Sequence, residues 1–219
     1  MDIVWGLRPH PILWVSSVRM NFSAVILAGG RSRRMGCDKA FLPFEGGLLI
    51  EHSVRVVRDA GAGEVLISGR AEQDFSMLAS PLLPDRTPDS GPLGGIERGL
   101  EAANHELVLV LAVDLPHMTS GFLRQLLESG SGRSRNMDDE SPPRGSVPVV
   151  RGGLEPLAAF YPRAAKAVAH RMLIEKQLAA RDFARACLLQ GWISAVPVCT
   201  SDARCFVNWN TPSDVAGSS

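Results

Sequence analysis

The chain has 219 residues, 45% of them hydrophobic, and its 23 basic and 23 acidic residues give a formal net charge of zero. That balance is too apolar and too neutral for a disordered chain, and without a basic excess to neutralise phosphates it excludes non-specific nucleic-acid binding as the main task. The longest purely apolar stretch, Leu107 to Val113, falls far short of the roughly 20 residues that span a bilayer, so no membrane partner is expected. Residues 1–19 hold Arg8, Pro9 and Pro11, which break any signal-peptide core, and Met20 stands just before a strong strand. They are expected to be a loosely held or non-native extension, followed by a single domain over 20–219. Cys37, Cys187, Cys199 and Cys205 form no C-x-x-C pair, as expected of free thiols in a reducing, cytoplasmic setting.

Beyond residue 20 the chain alternates β-like and helical runs. Ser23–Ala28 is a continuous apolar run, the mark of a strand buried on both faces. Leu48–Ala60 is predicted helical from Leu49, Val54 and Val57, with Gly61 as its stop signal. Val65–Ile67 is a second strand, Glu72–Leu78 a short helix and Leu82–Leu83 a third strand. Ile96–Ala103 is a helix entered through a glycine-rich turn, Leu107–Val113 is the strongest strand, and Thr119 can cap the helix carrying Phe122, Leu123, Leu126 and Leu127. Residues 129–146 are polar and of low complexity, and a mobile loop is expected there. Val147–Val150 and Pro156–Tyr161 read as strands meeting through Gly152-Gly153. Residues 163–190 read as two amphipathic helices, and Phe206-Val207 as a final strand. The rhythm predicts an α/β fold, a three-layer sandwich whose mostly parallel central sheet carries helices on both faces. Such sheets bind ligands beyond the carboxyl ends of their strands, which directs attention to the loops after Ala28, Leu83 and Val113.

The first of these loops opens with Gly29-Gly30 and continues through Arg31, Arg33, Arg34, Gly36 and Lys39. Glycines directly after a buried strand let backbone N–H groups approach a ligand, and cations beside them make an anion cradle. Neither the Rossmann nor the Walker fingerprint is present, so this is a phosphate loop of another kind. Asp114 follows the strongest strand, and one such carboxylate suffices for Mg²⁺, which takes few protein ligands and completes its shell with phosphate oxygens and water. Asp85 ends another strand. Gly91 to Gly95 open a helix where small residues would let a flat base or ribose pack on the backbone. Asn208 and Asn210, on alternate residues, could read a polar heterocycle, though a turn and helix cap fit them equally well. The histidines lack metal spacing, and no Ser-His-Asp arrangement can be argued.

At these residues the chain closely resembles the molybdenum cofactor guanylyltransferases, the MobA family, of Rossmann-like nucleotidyltransferase fold. The matching segments are Leu27-Ala-Gly-Gly-Arg-Ser-Arg-Arg-Met-Gly-Cys-Asp-Lys39, Asp85, Gly91-Pro-Leu-Gly-Gly95, Asp114-Leu-Pro116, Glu155-Pro-Leu157 and Asn208-Trp-Asn-Thr-Pro212, in the family's order from about residue 22 onward. The resemblance implies transfer of GMP from GTP to the phosphate of Mo-molybdopterin, giving the guanine dinucleotide cofactor and pyrophosphate with Mg²⁺ required. Carried over by position, it implies that Leu27, Ala28, Gly29 and Gly30 line the nucleotide loop, with Ser68, Gly91 and Gly95 also on the GTP side. Lys39 and Arg34 would meet the phosphates and Asp85 the guanine. Asp114 would bind nucleotide and metal, and Asn208 and Asn210 the pterin. Ser68 stands where many relatives carry Asn. Proteins that carry molybdopterin or receive the cofactor are further partners it implies. Two alternatives stay open: a related nucleotidyltransferase such as a cytidylyltransferase, whose members tend to carry Leu-Ala-Ala-Gly, and a non-catalytic GTP-binding module that delivers cofactor.

Overall fold

The apolar run Phe22–Leu27 forms strand β1 at the middle of an eight-stranded sheet. The computed structural model describes residues 22–29, 38–86, 89–130 and 143–209. After β1 come a short hairpin, β2 (Pro43–Phe44) and β3 (Gly47–Leu48), then helix α1 (Leu49–Asp59) and strand β4 (Ala62–Gly69). Strand β5 (Leu82–Pro84), α2 (Gly91–Ala102), β6 (Leu107–Ala112) and α3 (Ser120–Gly130) complete the first half. The second half runs β7 (Gly145–Val150), β8 (Gly153–Leu154), β9 (Ala158–Pro162), α4 (Lys166–Ile174), α5 (Ala180–Leu189) and β10 (Ile193–Pro197).

The strand order is β10-β7-β9-β6-β1-β4-β5, with β8 folded onto β7. β1 pairs in parallel with both β4 and β6, and β5 continues the parallel part, whereas β9 runs antiparallel to β6 and β7. Alternation along the central strands divides the core into two faces. Phe22, Ala24 and Ile26 of β1 join Leu109 and Leu111 of β6 beneath α1 and α3. Val25, Val108 and Val110 point the other way, beneath α2, α4 and α5. This is the expected three-layer sandwich, and the mostly parallel sheet is the expected one. The chain runs outward from β1 to β4 and β5, then crosses back to place β6 on the far side of β1. That reversal opens a crevice outside the carboxyl ends of β1 and β6.

Several elements differ from the sequence expectation. Gly91–Gly95 is the first turn of α2 rather than a turn before it, because Pro92 fits the first helical turn and the glycines allow close packing. Glu72–Leu78 holds only a 3₁₀ turn at Ser76–Leu78. Pro156 and Leu157 form a turn ahead of β9, and the Gly152-Gly153 turn pairs β7 with β8. Phe206 ends a 3₁₀ segment, Thr200–Phe206, instead of starting a strand, and the last strand is β10. At the ends of the expected 129–146 loop, α3 continues through Gly130 and β7 begins at Gly145. Residues 131–142 lie outside the described residues, as does the 1–19 extension. Thr119 does cap α3, its Oγ1 accepting from the Phe122 N–H at 3.1 Å. Among the described residues no helix is long and apolar enough to cross a membrane.

Candidate active site

Backbone hydrogen bonds hold the strand ends at the crevice. The Val113 N–H donates to the Leu27 carbonyl at 3.2 Å, the Ala28 N–H to that of Ser68 at 2.7 Å, and the Asp85 N–H to that of Gly69 at 3.0 Å. Asp114 therefore emerges beside the end of β1, with its own carbonyl accepting from the Trp209 N–H at 3.0 Å. Lys39 opens a 3₁₀ turn, and its Nζ donates to Asp114 Oδ2 at 2.9 Å. The two side chains are 18% and 24% exposed, so the pair is reachable from the crevice yet partly shielded. In such a setting its value to stability is modest, while its placement of a cation and a carboxylate is specific.

On the other side of the β1 end, Gly29 lies flush against Asp85. A Cβ there would stand 3.0 Å from Asp85 Oδ2 and 3.4 Å from Gly69 Cα, so any side chain would press on the Asp85 carboxylate, which would have to give by a few tenths of an ångström. Ser68 is buried, and its hydroxyl donates to Asp85 Oδ1 at 3.5 Å. Burial pushes the Asp85 carboxyl up, and this hydrogen bond and the nearby Arg70 guanidinium partly oppose it. Gly95 faces Ser68 and Leu27. A Cβ there would come within 2.5 Å of Ser68 Oγ and 2.9 Å of Leu27 Cδ2, so close helix-to-sheet packing accounts for this glycine. Gly91, at φ +60°, stands a turn earlier beside the Leu178 carbonyl. Thus Leu27, Ala28, Gly29, Ser68, Asp85 and Gly95 converge, with Lys39 and Asp114 next to them. Gly30, Arg34 and Asn210 lie outside the described residues.

A cavity of about 340 Å³ adjoins Asp114, within the range of small-molecule sites. Asn208 lines it, as do Glu155 and Leu157 of the turn before β9 and Arg181 at the start of α5. Arg181 Nη2 approaches Glu155 Oε1 to 3.9 Å, and burial raises the Glu155 carboxyl against that cation. The sequence reading assigned no site role to Glu155 or Arg181, nor to Gln73 and Arg70, which bind the segment beside Lys39. Glu155 stands in the Glu155-Pro-Leu157 segment that carries the resemblance, whereas Arg181, Gln73 and Arg70 carry no local pattern that distinguishes them from surface or loop residues. At the opposite, amino ends of the strands, Ser23 Oγ donates to Glu64 Oε2 at 2.5 Å and lies 3.0 Å from His105 Nδ1. Ser23 is fully buried, so this trio is a structural tie and not a nucleophile.

Among the described residues no group of three or more His, Cys, Asp or Glu side chains gathers at metal-binding distance. A hard divalent cation that keeps most of its waters fits Asp114 nonetheless. Lys39 engages one oxygen of a carboxylate that offers about four lone-pair sites, and the side chain reaches solvent. Residues 24–190 match the family model of the MobA-like NTP transferase domain. The chain belongs to this family. As a MobA-like NTP transferase it is a nucleotidyltransferase, and relatives agree along nearly the whole chain. It is 37% identical over 200 residues to a protein of Opitutus terrae named "Probable molybdenum cofactor guanylyltransferase", covering 88% of this chain and 92% of that one. Its fold is similar to that of the molybdopterin-guanine dinucleotide biosynthesis protein A from Archaeoglobus fulgidus (TM-score 0.68, 21% identity, 90% of this chain and 96% of that one). A similar fold is found in the 2-C-methyl-D-erythritol 4-phosphate cytidylyltransferase from Thermus thermophilus (TM-score 0.64, 25% identity, 90% and 96% covered).

Proposed function

We propose that this MobA-like NTP transferase moves GMP from GTP onto the phosphate of Mo-molybdopterin in the cytoplasm, with Mg²⁺, releasing pyrophosphate. The observation that carries the reading is the Lys39–Asp114 pair, set in the crevice between the Gly29–Asp85 contact and the cavity lined by Asn208. A nucleotide and a small acceptor can then meet at one cation and one carboxylate.

The acceptor is a phosphate monoester, anionic near neutrality, so its oxygen can attack the α-phosphorus without a general base. One P–O bond forms to the acceptor, the bond between the α-phosphorus and the bridging oxygen breaks, and pyrophosphate leaves with the electron pair. The protein's part is to position the reactants and to offset charge. Lys39 offsets negative charge at the phosphates, and the partly exposed backbone at Gly29 lets the nucleotide approach closely. The Asp85 carboxylate accepts from N–H groups of the base, with Ser68 holding it. Arg181 and Asn208 face the acceptor across the cavity. Asp114 would hold the Mg²⁺, which when bound supplies a further positive charge at the triphosphate.

Pyrophosphate release in the presence of Mg²⁺ and molybdopterin, measured with each NTP in turn, tests this reading. Release with GTP alone is expected. Release with CTP would make the protein a cytidylyltransferase, and none with any NTP would leave a nucleotide-binding delivery module.

A further inference from the structure

Gln73 lies between β4 and the Ser76–Leu78 turn and is 7% exposed. Its carboxamide is used on both ends. Nε2 donates to the Ala28 carbonyl at 3.1 Å and to Asp38 Oδ2 at 2.6 Å, while Oε1 accepts from the Arg70 N–H at 2.6 Å. Arg70 Nη2 donates to the same Asp38 Oδ2 at 2.8 Å, and Asp38 Oδ1 accepts from the Ala40 N–H at 3.1 Å. Asp38 thereby caps the turn that begins at Lys39. Gly69 makes room for the amide, because a Cβ there would strike Gln73 Oε1.

Two segments of the candidate site meet at this one side chain. Ala28 precedes Gly29, the residue flush on Asp85, and Asp38 precedes Lys39, the cation on Asp114. In sequence they are separated by residues 29–37. A buried amide costs free energy unless its polar atoms are matched, and here they are matched to the two segments and to Arg70. Leu or Met would fill the same space without that cost. A group that donates twice on one side and accepts on the other is what Ala28, Asp38 and Arg70 together require, and Glu, Asn and Met each lack part of it.

We infer that Gln73 is a positioning residue of the nucleotide site, whose carboxamide fixes the end of β1 against the Asp38–Lys39 turn and so sets where Lys39 stands relative to Asp114. The catalytic consequence rests on the reading under Proposed function; the effect on Lys39 does not. The Gln73→Glu variant keeps the shape and the acceptor for Arg70 but turns an oxygen toward Ala28 and Asp38. The Gln73→Met variant keeps the bulk and removes all polarity, and serves should the first not fold.

The first readout needs no nucleotide. Lys39 is one of only three lysines in the chain, and Lys166 and Lys176 are exposed internal references. Acetic anhydride labelling followed by mass spectrometry should show Lys39 modified about tenfold faster in either variant, the scale of one lost buried hydrogen bond, with Lys166 and Lys176 unchanged. The second readout is turnover: kcat for GTP-dependent pyrophosphate release should fall about tenfold or more while the KM for GTP changes little. Adding Asp38→Asn to Gln73→Glu exchanges donor and acceptor across their contact and should recover part of both effects. Unchanged Lys39 labelling in folded variants overturns the inference, as does a lowered melting temperature with kcat within about threefold of the parent. A parent that transfers nothing from GTP would sink the proposed function, and the labelling would still decide the role of Gln73.

Discussion

Lys39 and Asp114 stand 2.9 Å apart, and neither is dispensable to the proposed chemistry. Asp114→Ala should abolish Mg²⁺-dependent transfer and leave the circular dichroism spectrum unchanged, since the side chain is outside the core clusters. Lys39→Ala should slow transfer roughly 10² to 10³-fold, the scale of losing one preorganised charge contact. A loss below about threefold in pyrophosphate release would remove Lys39 from the phosphates. Asp85 carries a prediction in pH. Although the residue is exposed, partial desolvation of its carboxyl raises its pKa in the folded state, so in the window above its ordinary value the folded protein binds a proton that the unfolded chain has released. Its contribution to stability therefore falls as pH rises through that window. Asp85→Asn lacks the charge, so urea unfolding should show the variant gaining on the parent as pH rises above the ordinary carboxylate value of about 4. A difference that stays constant with pH would contradict the partial desolvation of this carboxylate. Asp85 and Asp114 were visible in sequence because each sits at the end of an apolar strand run, and Lys39 because it closes the glycine-led basic cluster after the first one. Gln73 was not, since a glutamine in the polar start of a segment read as a short helix looks like any solvated side chain.

At the scale of elements, α2 shows where local patterns mislead. Glycines at Gly91, Gly94, Gly95 and Gly99 weaken helix propensity, so the sequence suggests a loop for its first turn, yet α2 is helical from Gly91. Packing accounts for this: a Cβ at Gly99 would come within 2.5 Å and 2.6 Å of the two Cγ atoms of Val25 in β1. Gly99→Ala should improve intrinsic helix propensity by up to about 1 kcal/mol and still lower stability, because overpacking against the central strand costs about 1–3 kcal/mol. Urea unfolding at constant m-value would check it, and a stabilised variant would show that β1 yields. Strong periodicity made α1 and α3 legible: Leu49, Val54 and Val57 are all buried, as are Phe122, Leu123 and Leu126. Strand β10 escaped because Ile193–Pro197 is short, mixed and half exposed, and it is a strand through its pairing with β7.

For the molecule as a whole, the candidate site draws on strand ends from β1, β4, β5 and β6, on the turn before β9 and on α5. Ligand binding should therefore resist global unfolding. GTP with Mg²⁺ at about a hundred times its Kd should stabilise the protein by about 2.7 kcal/mol, read as a rise in melting temperature. The same rise with GTP and a chelator would argue against a metal on Asp114. The alternation of apolar runs with amphipathic ones was enough to predict the parallel centre of the sheet and the three layers. It placed two strands meeting through Gly152-Gly153 but could not reveal β8 or the antiparallel pairing of β9 with β6, because strand order depends on where the chain returns.

What the sequence determined by itself is therefore local: which runs are buried on both faces, where they stop, that Gly29, Asp85 and Asp114 stand at or just beyond those stops, and that Lys39 closes the basic cluster after the first. Side-chain period and backbone preference act over a few residues and leave their mark in any short window. Only the tertiary structure decided that Lys39 pairs with Asp114, that Gln73 joins Ala28 to Asp38, and that Glu155 and Arg181 complete a cavity beside them. Those partnerships depend on strand order, register and helix approach, which are set by burying both faces of one sheet at once and not by any segment alone.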